Sequence, residues 1–152
     1  MEHVSVEDLE NLSRSAAVTK RLTGPLGLAN VAINYYELEP GDSLSGGIHT
    51  HTNQEEAFFV LEGEATFETL DGTHLVGPNE AVRFAPGEYQ EGRNESEDRV
   101  RVIALGAPQE SGEIRVPVAC RECGGSDYHI THVHEDGFTF ECPECGNTFQ
   151  AG

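Results

Sequence analysis

The chain has 152 residues and a formal net charge of −18, from 27 acidic and 9 basic residues. This length can bury one good core together with a small satellite module. So acidic a surface has no basic patch to offset phosphate charge, which argues against nucleic acids and anionic membranes as partners. Lys20 is the only lysine, a composition typical of proteins from salt-loving cells, where high ionic strength screens self-repulsion. An acidic functional patch is the alternative.

The location of the protein is constrained by its apolar content. No run of 18 apolar residues exists, so nothing is predicted to span a membrane. Residues 1–8 are acidic and lack the apolar centre of a signal peptide. We therefore expect a cytoplasmic protein.

The chain begins with an arm, residues 1–27, in which Ser5 and Asp8 resemble the start of a helix. This pattern predicts two helical turns from Val6 to Leu12. Beyond the arm, five runs rich in β-branched and aromatic residues are separated by Gly, Pro and Asp turns. These runs are 28–38, 55–61, 64–70, 80–85 and 99–105. Asp71-Gly72 predicts a hairpin, and the whole pattern predicts an all-β sandwich or barrel, jelly rolls included.

Residues 106–112 have the composition of a linker. We therefore place a barrel at 28–112 and a second module at 113–152.

Two histidines and a carboxylate stand close together in residues 49–63. His49 and His51 are two residues apart on an extended segment, so their side chains point to the same face. Glu56 follows five residues later, at the start of an apolar run. Imidazole and carboxylate groups bind first-row divalent metals, and a set of two histidines and one carboxylate leaves positions open for substrate or oxygen. The spacing predicts a metal site; two solvated histidines on an edge strand are the alternative.

The second module carries two C-x-x-C-Gly sequences, Cys120 to Cys123 and Cys142 to Cys145, separated by 18 residues. Each pair places two thiolates about one metal, and four thiolates in a tetrahedral array form a closed structural zinc site. The spacing resembles a zinc ribbon, which predicts structural zinc rather than disulfides or a redox pair. Zinc binding would also explain how about 40 residues with few large apolar groups can fold.

The ribbon has seven acidic and two basic residues, so we expect it to dock onto a protein partner or onto the barrel rather than onto nucleic acid. His132 and His134 repeat the His-x-His pattern within it. Because four sulfurs already complete the metal site, both are expected to be solvated strand residues; a second metal site is the alternative.

The barrel segment resembles the cupin family over about residues 28–105. His49, His51, Glu56 and Gly63 match the spacing of the first cupin motif, although Ser43 stands where its leading glycine is expected. The resemblance implies a double-stranded β-helix, that is, a jelly-roll barrel, which binds Fe, Mn, Ni, Co or Zn as a divalent ion. It also implies a homodimer.

The second cupin motif is degenerate. Gly87 and Asn94 fit it, but its proline is displaced to position 86 and the third histidine is replaced by Gln90. An amide oxygen is a neutral and weaker donor than imidazole. Gln90 therefore either binds the metal through this oxygen or lies beside it without binding.

Five further residues are candidates for lining a substrate pocket. Phe58 and Val60 share the strand face of the metal ligands, with core packing as their default role. Tyr35 and Tyr36 face opposite ways, so one of them can reach the cavity. Arg83 either anchors an anionic substrate or forms a salt bridge.

The sequence lacks a nucleophile elbow, a phosphate-binding glycine loop and a cysteine outside the two pairs. What remains is a metal-binding protein acting on a small molecule. The resemblance implies an enzyme of dioxygenase or isomerase type, in which Glu56 also moves a proton. The alternative is a non-catalytic sensor of a small molecule or metal, whose ribbon docks a partner.

Overall fold

The structure is a computed structural model that describes residues 1–134 and 137–150. Antiparallel strands form most of its regular structure, which confirms the all-β prediction. The two-turn helix predicted from Val6 to Leu12 is wrong, since a single 3₁₀ turn, Val6–Asp8, is present there. The side chain of Ser5 makes no capping hydrogen bond. The backbone N–H of Leu12 instead donates to the carbonyl of Thr19, at 2.8 Å.

The first sheet has five strands and forms one wall of the barrel. In spatial order they are β1 (Val18–Arg21), β2 (Ala32–Leu38), β9 (Val100–Ala107), β4 (Glu55–Glu62) and β7 (Ala81–Phe84). Four of them fall within predicted runs. The exception is β1, which lies in the predicted arm and pairs with β2, so the first sheet begins before residue 28.

The facing sheet has three strands, in the order β6 (Gly72–Val76), β5 (Ala65–Thr69) and β8 (Glu91–Arg93). Strands β5 and β6 form the predicted hairpin. Its register pairs Thr69 with Gly72, which places the turn at Leu70-Asp71, one residue earlier than the Asp71-Gly72 signal indicated.

The remaining sheet joins the C-terminal module to the barrel. Its order is β13 (Thr148–Gln150), β12 (Gly137–Glu141), β11 (His129–His134), β10 (Ile114–Val116) and β3 (Thr50–His51). A bridge pairs His49, beside β3, with Gln90 next to β8. The sheet of the module is therefore continuous with the facing wall of the barrel.

The core is packed with large side chains at one end and with small ones at the other. Leu38, Val60, Val100 and Val102 are fully buried, and the rings of Phe58, Phe67 and Phe84 form a cluster with centroids 5.0 to 6.1 Å apart.

The other end of β9 carries Ala104 and Gly106 on its inner face. Their cross-strand partners in β4 are Phe58 and Glu56. Because two inward positions of β9 carry so little side chain, room remains in the barrel beside Glu56.

Candidate metal centre

Three of the predicted ligands converge at the open end of the barrel. His49 and His51 come from the β3 segment, and Glu56 lies near the start of β4. One donor atom from each residue lies within 4.8 Å of the donor atoms of the other two. The imidazole Nε2 of His51 is 3.5 Å from Oε1 of Glu56. Alternation along the short strand and the turn into β4 produce this convergence.

Hydrogen bonds orient both imidazoles. Nδ1 of His49 is 2.9 Å from the carbonyl oxygen of Gly47, which can only accept, so this nitrogen carries the proton. Nδ1 of His51 is 2.6 Å from the hydroxyl of Ser111. His49 therefore offers Nε2 as a free lone pair, and His51 does so when the serine hydroxyl accepts from its Nδ1–H, the arrangement found where histidine binds a metal.

The metal-free site disfavours charge on its own groups. Burial raises the pKa of Glu56 to about 7, while a hydrogen bond from Gln90 opposes this rise. Burial, together with His49 nearby, lowers the pKa of His51 to about 4. Burial also lowers the pKa of His49. His51 and Glu56 therefore do not form an ion pair, and between about pH 4 and pH 7 both groups are neutral.

Gln90 contacts the carboxylate directly. Its Nε2 donates to Oε2 of Glu56 at 2.8 Å, and its side chain is buried. Because Oε2 is occupied by this contact, Oε1 is left facing His51. This geometry favours a role for Gln90 in orienting Glu56; ligation by its amide oxygen stays a prediction.

The donor set fits a divalent transition ion. Bonds of about 2.1 Å to one ion bring donor atoms to within about 4.2 Å of each other, and the 3.5 Å between Nε2 of His51 and Oε1 of Glu56 lies within this limit. Two neutral imidazoles and one carboxylate carry a total charge of −1, which a divalent cation would offset. His49, His51 and Glu56 would hold the ion, and such an ion acts as a Lewis acid toward a substrate oxygen.

The ligands line a cavity of about 450 Å³. Two of the five predicted pocket residues, Tyr36 and Phe58, also line it. Burial and the nearby carboxylate of Glu56 raise the pKa of Tyr36, so its hydroxyl keeps its proton at neutral pH.

Three predicted pocket residues do not line the cavity. Val60 is fully buried in the core, deeper along β4. Tyr35 points to the other face of β2, where its hydroxyl donates to Glu37 and accepts from Arg101. Arg83 lies outside the barrel, where it forms a 2.6 Å ion pair with Glu55. This is the salt bridge predicted as the alternative to an anion-binding role.

The four cysteines of the C-terminal module also converge. Sγ of Cys120 is 3.8 Å from Sγ of Cys145, and the same distance separates Cys123 from Cys142. All four are free thiols. A tetrahedral ion with Zn–S bonds of about 2.3 Å separates its sulfurs by about 3.8 Å, so the cluster is compatible with zinc.

Backbone turns shape this cluster. Gly124 and Gly146 have φ values of +62° and +70°, and each donates its N–H to the carbonyl of the first cysteine of its pair. Backbone N–H groups, that of Cys123 first, lower the pKa of Cys120, whereas neighbouring thiols raise the pKa of Cys145, so without a cation the cluster holds fewer than four thiolates.

The comparisons with known proteins agree with this architecture. The family description "Cupin domain" matches residues 34–106, the segment that contains the three ligands and most of the barrel. The barrel segment is therefore similar to cupin domains, and its fold is the double-stranded β-helix that the sequence resemblance implied.

Solved structures share the cupin fold of this chain. A sugar phosphate isomerase of the cupin superfamily from Silicibacter pomeroyi DSS-3 is 18% identical, with a TM-score of 0.70 over 95% of this chain and 94% of the other. The polyketide cyclase RemF from Streptomyces resistomycificus is 25% identical, with a TM-score of 0.66 over 80% and 88%. Ectoine synthase from P. lautus is 19% identical, with a TM-score of 0.58 over 72% and 80%. Among curated proteins, none matches significantly.

Among the cavity residues that the sequence analysis did not find, two bear directly on the chemistry of the site. Arg21 of β1 and Ser111 of the linker both line the cavity. The β-branched pair Val18-Thr19, ahead of the turn residues Gly24-Pro25, was a weak strand signal for the first. No local signal exists for the second, because its partner, His51, is 60 residues away.

Two ribbon histidines form hydrogen bonds within their own module. His132 pairs with Glu141 at 2.8 Å, and His134 with Thr139 at 3.1 Å, so both bond across the β11–β12 hairpin.

Within residues 1–134 and 137–150, no helix has the length and apolarity needed to cross a membrane.

Proposed function

We propose that this protein is a metal-dependent isomerase that acts on a small, polar, anionic molecule. The observation that carries the proposal is the placement of His49, His51 and Glu56 at the wall of a cavity whose lining is rich in hydrogen-bonding groups. We assign the barrel site to a divalent ion of Fe, Mn, Ni, Co or Zn, and the cysteine cluster to structural zinc.

The lining supports a polar substrate. Amide and hydroxyl groups dominate its polar part, and they can bond to substrate oxygens. These groups belong to Thr23, Asn34, Tyr36, Ser45, Gln54, Gln90, Gln109 and Ser111.

Arg21 supports a substrate with negative charge. It is exposed at the cavity wall, and no carboxylate in the described part of the chain lies within 4.0 Å of its guanidinium. In so acidic a protein, an arginine left free of carboxylates beside a cavity is available for a carboxylate or phosphate group of the substrate.

The chain itself supplies the proton-transfer groups. Glu56 is the proposed base, because its carboxylate lines the cavity and a bound cation would keep it deprotonated and able to accept a substrate proton. Tyr36 keeps its hydroxyl proton and can donate a hydrogen bond to the substrate oxygen that gains charge. An isomerisation needs a proton taken from one carbon and returned to its neighbour, and no other reactant.

Deuterium exchange tests this proposal. The protein loaded with each candidate metal is incubated in D₂O with aldose phosphates, ketose phosphates and hydroxy-oxo acids, and proton NMR follows the carbon next to the carbonyl. We expect deuterium incorporation and interconversion of isomers without oxygen uptake. Oxygen consumption coupled to product formation would contradict the isomerase and favour the dioxygenase.

Matched variants assign the roles. Arg21→Ala is expected to raise KM for the anionic substrate by about 10- to 100-fold, the effect of losing one charge-assisted hydrogen bond. Arg83→Ala removes an equally charged residue that lies outside the barrel, and it should leave KM unchanged. Equal effects of the two variants would remove Arg21 from the substrate site.

The alternative is a non-catalytic sensor whose ribbon docks a protein partner. The observation in its favour is the continuous sheet from β3 to β13, which links the ligand histidines to the ribbon. A sensor would show no turnover across the panel, yet its melting temperature would rise with one of the compounds.

A further inference from the structure

The linker between the barrel and the ribbon folds back along the metal site. Asn53 accepts a hydrogen bond from the N–H of Gly112 and donates to the carbonyl of Glu110. Gln54 is buried and donates to the carbonyl of Pro108 at 2.7 Å. Asn53 and Gln54, in the loop between β3 and β4, therefore hold in place a segment that its composition identified as a linker.

One linker side chain reaches a metal ligand. The hydroxyl of Ser111 lies 2.6 Å from Nδ1 of His51, and it also lies 3.3 Å from the carbonyl oxygen of Gly112. A serine hydroxyl can accept one hydrogen bond and donate another. If it donates to Gly112, it accepts from Nδ1–H of His51, which leaves Nε2 of His51 free for the ion.

The ribbon holds this serine in position. Strand β10 begins three residues after it and pairs with β3, with Ile114 opposite His51 and Arg115 opposite Thr50. The other edge of β10 pairs with β11 of the ribbon. The guanidinium of Arg115 also lies 4.3 Å from the ring centroid of Tyr128, a cation–π contact within the module.

A second ribbon contact reaches the loop before His49. A Cβ built at Gly46 would lie 3.2 Å from the ring of Phe138, on β12. The next residue, Gly47, supplies the carbonyl that orients His49. The segments that carry both hydrogen-bond partners of the histidines therefore lie against the C-terminal module: Gly47 follows Gly46, which is beside Phe138, and Ser111 precedes β10.

We propose that Ser111 is a positioning residue for His51, and that the folded ribbon sets the metal affinity of the barrel by holding Ser111 and β10 against β3. This inference rests on the metal site of the proposed function. It predicts that the ribbon works as part of the barrel site, beyond its role as a docking module.

Titration with Mn²⁺, followed by electron paramagnetic resonance, tests the role of Ser111. Carboxylate-containing sites accept Mn²⁺, whereas thiolates favour zinc, so the full-length protein with zinc in its ribbon reports on the barrel alone. Ser111→Ala is expected to weaken Mn²⁺ binding by about 10- to 100-fold, the usual effect of losing the outer partner of a metal-binding histidine. Ser111→Thr keeps the hydroxyl and should restore the affinity.

The controls separate this inference from the metal site itself. Ser5→Ala removes an exposed serine with no capping bond and should leave Mn²⁺ binding unchanged. Failure of the wild-type protein to bind Mn²⁺ would overturn the metal site, and the inference with it. Binding by the wild type with unchanged affinity in Ser111→Ala, or with no rescue by Ser111→Thr, would overturn the inference alone.

A spectroscopic signature distinguishes positioning from general loosening. In the protein without barrel metal, ¹⁵N NMR of His51 should show the proton on Nδ1. In Ser111→Ala this preference should be lost, while the circular dichroism spectrum stays the same. An unchanged tautomer would overturn the role of the serine.

Two variants test whether the ribbon contributes to the Mn²⁺ affinity of the barrel. Cys142→Ser removes a zinc ligand and should lower the Mn²⁺ affinity of the barrel at least as much as Ser111→Ala does. If circular dichroism shows that this variant loses the barrel fold, Phe138→Ala decides, since it removes the ring beside the Gly46 loop and leaves the four cysteines in place. Unchanged Mn²⁺ affinity in the deciding variant would overturn the ribbon's part.

Discussion

At the scale of single residues, the metal centre is a cluster of groups that burial keeps neutral. His51 releases its proton at about pH 4, and Glu56 keeps its proton up to about pH 7. A cation that binds there at pH 6 therefore has to displace one proton, the one on Glu56, while the imidazole is already free. Without a cation, the site therefore holds a protonated carboxyl group and neutral imidazoles, and metal binding converts the carboxyl group to its charged form.

The pH dependence of metal binding follows from these pKa values. Since a proton on Glu56 competes with the metal, affinity should rise about tenfold per pH unit from pH 5 to 7 and level off above pH 7. Calorimetric or EPR titration of Mn²⁺ at several pH values measures this. Two imidazoles with ordinary pKa values near 6.5 would instead give a slope of about two below pH 6.

A variant at Gln90 sharpens this prediction. The hydrogen bond from Gln90 lowers the pKa of Glu56, so Gln90→Leu should raise that pKa. The pH at which metal affinity levels off should then move above its wild-type value. An unchanged pH profile with weaker affinity at every pH would instead indicate that the amide oxygen of Gln90 binds the metal.

The ligand residues themselves should control only one of the two metal sites. His49→Ala or Glu56→Ala is expected to remove the barrel metal while the ribbon keeps its zinc, because the two clusters share no ligand. Elemental analysis of purified variants gives both metal contents. His74→Ala, at an exposed histidine of β6, is the matched control. Unchanged metal content in both ligand variants would contradict the barrel site.

At the scale of elements, the start of β5 depends on a close approach between chain segments. Gly63 has a φ of +74°, and a Cβ at this position would lie 2.4 Å from the carbonyl oxygen of Arg99 and 2.9 Å from Cγ2 of Val100. It follows the register shift between Val60 and Glu62 in the β4–β9 ladder. No side chain fits there without moving the backbone of a neighbouring segment.

Alanine substitution at two glycines measures this effect. Gly63→Ala should lower the free energy of unfolding by about 3 kcal/mol or more, because backbone strain and a steric clash add together. Gly41→Ala shares a positive φ, +90°, but has no atom within 4 Å of the added Cβ, so it should cost only about 1 kcal/mol. Urea unfolding gives both values, and equal losses would contradict the role of the close approach.

The pairing between β3 and β10 crosses the predicted domain boundary at residue 112. Residue 112 remains a reasonable predicted boundary in the chain, since the barrel core and the cysteine cluster are separate. The sheet nevertheless crosses it, because β10 pairs with β3 on one edge and with β11 on the other. The ribbon docks onto the barrel of its own chain, one of the two predicted options; docking of a further protein stays a prediction.

At the scale of the whole molecule, the net charge of −18 dominates. Surface arginines are used in ion pairs, such as Arg99 with Glu37 and Glu39, and Arg101 with Glu62. With 27 acidic residues and 9 basic ones, most carboxylates cannot have a cationic partner. Their repulsion opposes the compact state, and its range is set by ionic strength.

Salt should therefore stabilise the fold. Raising KCl from 0.1 to 1 M shortens the screening length from about 10 Å to about 3 Å, and we expect the melting temperature at pH 7 to rise by about 3 °C or more. Near pH 4.5, the isoelectric point of the sequence, the same addition should have little effect. A fall in melting temperature with KCl at pH 7 would contradict the predicted adaptation to high salt.

Much of the fold could be predicted from the sequence because its signals are local. The predicted runs match β2, β4, β5, β7 and β9 to within a few residues at each end. The approach of His49, His51 and Glu56 was predictable for the same reason, since all three lie within eight consecutive residues. The cysteine pairs carry a spacing that only a shared ion explains well.

The missed features come from contacts between distant parts of the chain. Strand β1 forms because β2 offers it an edge, and the short strands β3 and β10 form by pairing across more than 60 residues. The roles of the two arginines were likewise decided by position. Arg83 falls on the outer face beside Glu55, whereas Arg21 falls on the cavity wall.

The sequence by itself determined the kind of protein, an acidic β-barrel with a histidine–carboxylate metal site and a four-cysteine ribbon, because residue types and short spacings specify ligands and strands. Only the tertiary structure decided that Gln90 supports Glu56, that Ser111 orients His51 and that the ribbon's sheet reaches the barrel's ligand strand. The physical reason is that hydrogen bonds and strand pairing depend on distance in space, and residues 51 and 111 become neighbours only after the chain has folded.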